Sequence, residues 1–175
     1  MTPDQSPDGA DAGIGVGVPG GAKAEPRHPF TLAIDIGGTG LKASVLDASG
    51  AMVADRVRVS TSYPLPPEKL VSMLTRLAAP LPAAERASVG FPGMVRDGLV
   101  LSAPHFSTKQ GPGSAVDPDL AKQWSEYDLS SELTSAFGLP TKVANDADIQ
   151  AAAVIRGKGL ELAITLGTGF GTGLF

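Results

Sequence analysis

The chain has no cysteine among its 175 residues, which excludes a disulfide framework and any thiolate metal site within this stretch. It also lacks a basic excess. Against 14 Lys and Arg stand 18 Asp and Glu, for a net charge of −4, and no basic run stands out, so neither nucleic acid nor an anionic membrane is expected as a main partner. No segment approaches the roughly 20 consecutive apolar residues of a membrane span. The first residues are acidic (Asp4, Asp8, Asp11) where a secretory signal would carry basic residues and then an apolar core, so cytoplasmic residence is the default expectation.

What is present divides into two zones. Residues 1–29 are rich in Gly, Pro and Asp and almost free of large apolar side chains. Such a segment cannot bury enough surface to offset its ordering entropy, and it reads as a disordered tail. Within it, Gly15-Val16-Gly17-Val18-Pro19-Gly20 satisfies a dinucleotide-binding pattern. No strand precedes it, and Pro26 and Pro29 disfavour a following helix, so the pattern has no binding geometry. From residue 30 onward a hydrophobic content of 42% over the chain suffices for one packed domain.

The periodicity from Phe30 predicts strands over 31–36, 41–47 and 52–59, a helix over 67–79, strands over 87–91 and 98–102, and a helix over 128–137 stopped by Gly138. Three adjacent strands followed by helices alternating with further strands suit an α/β mixed sheet covered by helices.

Three polar turns interrupt this pattern. Asp35-Ile36-Gly37-Gly38-Thr39-Gly40 joins two apolar runs, and a tight glycine turn between strands places a carboxylate beside bare backbone N–H groups, the chemistry that holds a metal-bound phosphate. Glycine there permits close approach and positive φ. Gly167-Thr168-Gly169-Phe170-Gly171-Thr172-Gly173 repeats the arrangement after the strand-like run 162–166. Either turn alone can also be read as a plain hairpin; the pair can grip a polyanion from two sides. Between them Asn145-Asp146-Ala147-Asp148 opens a segment of helical spacing (Ile149, Ala152, Ala153, Arg156), with Asn145 as N-cap and Asp148 at the third helical position. A carboxylate in the first helical turn feels the positive end of the dipole, which makes Asp146 the candidate general base for a hydroxyl nucleophile.

These motifs, together with Gly90-Phe91-Pro92-Gly93-Met94-Val95, occur in the order found in the ROK sugar kinases, and the chain resembles that family from about Phe30 to Phe175, most closely its polyphosphate or ATP glucokinase branch. The resemblance implies an actin-like ATPase, ribonuclease-H-like domain that binds a hexose and a phosphoryl donor, ATP or polyphosphate, with Mg²⁺. It assigns Asp146 to deprotonating the sugar 6-hydroxyl and Asn145 to neighbouring hydroxyls, with Pro92 and Gly93 in the sugar wall. Asp35 would orient Mg²⁺, and Gly37, Gly38, Thr39, Gly40, Lys42, Gly167, Thr168, Gly169 and Gly171 would hold the donor. Lys42 faces either a donor phosphate or solvent. In the family further sugar-binding, zinc and adenosine segments follow the second glycine turn, so the chain is expected to be the N-terminal portion of a longer kinase, inactive in isolation, whose full-length form could be a homodimer.

The pattern also departs from the family. Where relatives carry Ala-Pro-Asn-Leu, this chain has Ala103-Pro104-His105-Phe106, so His105 is either an ordinary loop histidine or a substrate contact. The stretch from Ser107 to Pro118 reads as an inserted loop at the cleft mouth, with Lys109 and Lys122 either solvated or placed for an extended polyphosphate. Arg96 and Asp97 read as a hairpin turn with Gly98, the alternative being that they face the sugar. Two alternatives to glucose phosphorylation stand beside it: a kinase for an N-acetylhexosamine, and a non-catalytic sugar-sensing regulator, for which the tail offers no winged helix-turn-helix.

Overall fold

The computed structural model describes residues 29–166 and 170–175; the expectations for residues 1–28 and for Gly167, Thr168 and Gly169 lie outside the described residues. In chain order the elements are β1 (Thr31–Ile36), β2 (Gly40–Leu46), β3 (Val57–Ser60), α1 (Pro67–Ala78), β4 (Arg86–Phe91), β5 (Met94–Arg96), β6 (Leu99–Ser102), α2 (Pro118–Trp124), β7 (Tyr127–Asp128), α3 (Leu129–Phe137), β8 (Thr141–Asn145), α4 (Asp146–Ala152), β9 (Leu162–Leu166) and β10 (Phe170–Leu174).

Five strands form the main sheet in the order β3-β2-β1-β4-β8. The first three run antiparallel, and β4 and β8 lie parallel to β1, which gives the mixed sheet expected from the motif order. Alternation along the strands sends Leu32, Ile34 and Ile36, then Leu41, Ala43 and Val45, then Ala87, Val89 and Phe91 to one face. There they meet Leu70, Leu74 and Leu77 of α1 and Leu129 and Leu133 of α3 in one core. Pro67 starts α1 at a position where a missing N–H costs nothing, and Gly138 ends α3 in the left-handed conformation (φ 65°). The opposite sheet face is small and polar, with Thr31, Ala33, Asp35, Lys42, Ser44 and Ser88 along a cavity of about 600 Å³.

An aromatic cluster carries the core up to one end of the sheet. Phe91 and Phe106 meet edge to face, their planes 65° apart and centroids 5.6 Å apart, Trp124 lies 5.5 Å from Phe91, and Tyr63 lies 6.4 Å from Phe106. Trp124 is buried, and its indole N–H donates to the Leu65 carbonyl at 3.0 Å, which satisfies the polar atom that burial would otherwise penalise.

Two expectations change and one element is new. The third strand begins at Val57 rather than at residue 52: the Asp47 carboxylate closes a turn by accepting from the N–H groups of Ser49 and Ala51, and only a single bridge joins Met52 to Leu46. Beyond the 107–118 loop stands a helix that was not expected, because Asp117 accepts from the N–H groups of Asp119 and Leu120 and caps α2. The helix opening at Asp146 ends at Ala152, short of Arg156. The Arg96–Gly98 hairpin is present, with Asp97 and Gly98 both at positive φ (51° and 85°), the geometry of a two-residue hairpin turn.

Candidate functional site

The ends of β1, β4 and β8, the glycine turn and the β9–β10 hairpin surround a cavity of about 490 Å³ lined by Asp35 to Gly40, Lys42, Arg58, Pro92, His105, Asn145, Asp146, Ala147, Gln150, Thr165, Leu166, Gly171 and Thr172. The separate motifs of the sequence therefore meet in one place.

The turn is built for close approach. Its Gly37 N–H donates to the Gly40 carbonyl at 3.0 Å, and a side chain at Gly37 would sit 2.9 Å from that same oxygen. A side chain at Gly38 would meet Pro112 at 2.9 Å and His105 at 3.4 Å. Neither residue has positive φ, so of the two reasons for glycine read from sequence, close approach applies here and left-handed backbone does not. Three consecutive carbonyls are tied down from one side: Thr61 Oγ1 donates to Gly37 O at 2.7 Å, Tyr63 Oη donates to Gly38 O at 2.7 Å, and the Thr61 N–H donates to Thr39 O at 3.3 Å. In a planar trans peptide the N–H points opposite to the carbonyl. The Gly38 and Thr39 amides are thus turned away from residues 61–63, which leaves them to serve an anion. The Gly37 amide is spent inside the turn.

Asp35 and Lys42 are directly opposed on adjacent strands, and Lys42 Nζ donates to Asp35 Oδ2 at 2.8 Å. Both side chains are well exposed (51% and 40%), and an exposed pair of this kind contributes at most about 1 kcal/mol, so an incoming charged ligand can rearrange it. Arg58 stands in register with Lys42 on β3. Asp35, Lys42 and Arg58 therefore form a row across three strands on one face.

Asn145 caps α4, its Oδ1 accepting from the N–H groups of Ala147 at 2.9 Å and Asp148 at 3.2 Å. Its Nδ2 donates to the Gly93 carbonyl at 2.8 Å. The side chain that the resemblance assigned to sugar hydroxyls is largely committed to structure and keeps one amide hydrogen for a ligand. Gly93 is correspondingly engaged through its carbonyl, while Pro92 lines the cavity.

Asp146 follows directly, half-buried, with Oδ1 accepting from the Ala147 N–H at 2.8 Å. Desolvation pushes its carboxyl above the ordinary aspartate value; the Ala147 hydrogen bond opposes this, the Asp35 charge adds to it, and His105 opposes it. The helix-end effect inferred from sequence is outweighed by burial. A raised carboxylate is a stronger base, which suits proton abstraction better than an ordinary one.

Gly171 and Thr172 of the second glycine turn lie on the cavity wall; Gly167, Thr168 and Gly169 are outside the described residues. Lys109 is held by Asp117 at 2.9 Å, and neither it nor Lys122 lines the cavity. The 105–118 segment nevertheless reaches the site through His105 and Pro112. Residues missed from sequence are Thr61, Tyr63, Arg58, Gln150 and Thr165. Arg58 was legible in principle, since it keeps the two-residue period of the face that carries Lys42.

Among the described residues no group of three or more His, Asp or Glu side chains gathers as a metal cage. Asp35 on the cavity wall fits a cation such as Mg²⁺, which takes one or two protein carboxylates and draws its remaining ligands from phosphates and water.

The sequence profile of the ROK family matches residues 31–175. An N-acetylmannosamine kinase of Escherichia coli is 35% identical over 151 residues, an alignment covering 82% of this chain and 46% of that enzyme. Among solved structures, the inorganic polyphosphate/ATP-glucomannokinase of Arthrobacter sp. strain KM superposes with a TM-score of 0.66 at 33% identity, over 84% of this chain and 58% of that one. The ROK family glucokinase of Streptomyces griseus, crystallised with glucose and AMPPNP, superposes with a TM-score of 0.63 at 30% identity, over 83% and 44%. The chain spans about half the length of the curated relatives it matches.

Proposed function

This chain belongs to the ROK family, and from that premise we propose that it carries the catalytic base and the donor-phosphate turn of a carbohydrate kinase that phosphorylates the 6-hydroxyl of glucose or a similar hexose. The observation that carries this reading is the meeting of Asp146 with the 37–40 turn in one cavity. A hydroxyl placed beside Asp146 gives up its proton to that carboxylate, and its oxygen attacks the terminal phosphorus of the donor. The bond to the leaving phosphate breaks, and the shortened donor departs with the electron pair. The Gly38 and Thr39 amides and Lys42 take up negative charge on the transferred group and its neighbours. Asn145 orients the sugar with its remaining amide hydrogen while fixing the strand-to-helix junction that aims Asp146. Asp35 is the residue that would hold Mg²⁺, which when bound supplies positive charge to the donor's phosphates.

Similarity to a polyphosphate/ATP-glucomannokinase and to a glucokinase crystallised with AMPPNP supports either ATP or inorganic polyphosphate as donor. Similarity to an N-acetylmannosamine kinase supports a second reading in which the acceptor is an N-acetylhexosamine, with His105 at the cavity wall contributing to the choice. The test is phosphoryl transfer to glucose and to N-acetylmannosamine, with ATP and polyphosphate in competition, by the full-length protein and its Asp146→Asn variant. The variant should lose about 10²–10⁴-fold in kcat while keeping sugar affinity within several-fold. Turnover undiminished in Asp146→Asn would overturn the assignment.

A further inference from the structure

A turn that offers two amides to a polyphosphate needs a full positive charge beside it, because backbone dipoles carry only fractions of a charge. Among the described residues two cations line the cavity, Lys42 and Arg58. Lys42 rests against Asp35, its Nζ 2.8 Å from Oδ2, so part of its charge is offset by that carboxylate until a ligand rearranges the pair. Among the described residues Arg58 has no ion-pair partner. Its register opposite Lys42 puts it on the cavity face of the sheet, and its Nη2 lies 4.0 Å from where a side chain at Gly40 would begin. The guanidinium therefore stands over the exit of the glycine turn, in the same cavity as Gly38 and Thr39.

We infer that Arg58 binds the donor's terminal phosphates, the guanidinium fork meeting phosphate oxygens while the turn amides hold the same group from the other side. This rests on the kinase reading above and deepens it by assigning the charge that selects a polyphosphate chain. The chemistry is shared by a nucleoside triphosphate and by inorganic polyphosphate. Guanidinium suits the task because its planar donors engage two phosphate oxygens at once and its charge is fixed at any working pH. The competing explanation is that Arg58 protects β3, an edge strand, from pairing with other chains, as charged residues on edges do. That role predicts aggregation without any effect on phosphate binding.

The experiment is calorimetric titration of the protein and of its Arg58→Met and Arg58→Lys variants with magnesium tripolyphosphate, magnesium AMPPNP and glucose, alongside light scattering. Methionine keeps the apolar stem and removes the charge; lysine keeps the charge and removes the fork. Arg58→Met should bind tripolyphosphate about tenfold or more weakly, the loss of a charge-assisted hydrogen bond, Arg58→Lys should fall between, and glucose affinity should not change. A matching loss with AMPPNP places the contact on phosphates common to both donors, and a loss confined to tripolyphosphate makes inorganic polyphosphate the ligand; either supports the assignment. Unchanged tripolyphosphate and AMPPNP affinity in Arg58→Met, with or without increased scattering, overturns it and leaves the kinase reading standing. A parent protein that binds neither probe overturns both.

Discussion

Replacing Asn145 by alanine removes three hydrogen bonds at one junction: two caps on the N–H groups of Ala147 and Asp148 and the tether from Nδ2 to the Gly93 carbonyl. Loss of a helix cap costs about 0.5–2 kcal/mol, and loss of an ordinary hydrogen bond about 0.5–1.5 kcal/mol. The two together come to roughly 2 kcal/mol at their midpoints, equivalent to a fall in Tm of about 4–8 °C for a chain of this size. Asn145→Asp separates the two contributions. It retains an acceptor for the cap but turns the donor to Gly93 into an oxygen facing an oxygen, so it should recover the cap share of the loss and not the tether share. Because Asp146 is carried by the same junction, kcat should fall in both variants more than stability does, since loss of alignment reaches the reacting atoms directly. Differential scanning fluorimetry of the three proteins at one pH, paired with initial rates, is the assay. If Asn145→Ala melts within about 1 °C of the parent, a shift too small for the lost bonds, the junction is not held as described and the reasoning fails.

Other consequences can be checked on the same footing. Burial raises the Asp146 carboxyl above its ordinary value of 3.8, so the folded state binds this proton more tightly than the unfolded one. The stability gained is full below that value and is lost as pH rises through the folded pKa. Asp146→Asn should therefore melt no lower than the parent at neutral pH, and the acid limb of kcat/KM should lie above the ordinary aspartate range; a clear drop in Tm would contradict this. Tyr63→Phe keeps the ring beside Phe106 and removes the bond to Gly38 O. It should cost about 1 kcal/mol and raise the donor KM while leaving the sugar KM alone; a changed sugar KM with an unchanged donor KM would argue against a donor role for the turn. Gly37→Ala would place a methyl 2.9 Å from the Gly40 carbonyl, costing about 1–3 kcal/mol by overpacking, and urea midpoints indistinguishable from the parent would show that the turn is looser than drawn.

Much of this was legible in the residues. The alternation in 31–36 and 41–46 fixed which side chains are buried, and the leucine spacing of α1 fixed its inner face, because burial of a face imposes a period that the sequence must display. Asn145 as a cap was equally readable, since capping is local. What escaped depends on chain segments far apart. The commitment of Asn145 to Gly93 spans 52 residues, and no local signal announces it. Burial of Asp146 follows from the packing of α4 against β4 and the β9–β10 hairpin, so the helix-end argument could not foresee its direction. Capping of α2 by Asp117 was visible in Asp117-Pro118, yet the surrounding glycines and prolines masked a helix of seven residues.

The three carbonyls tied to Thr61 and Tyr63 have a consequence for how the molecule can move. Glycine-rich segments ordinarily surrender the most conformational freedom when a ligand fixes them, and that loss subtracts from affinity. Here the ordering is done when the chain folds, so a phosphate arrives at a surface that has little left to lose. The turn and the strand exit after β3 are consequently one mechanical unit. Any closing motion must carry Gly37 to Gly40 and Thr61 to Tyr63 together, and through Tyr63 it pulls on Phe106 and the aromatic cluster. Trp124, in contact with that cluster, is the single tryptophan of the chain, and its emission therefore reports displacement of the phosphate turn from inside the core.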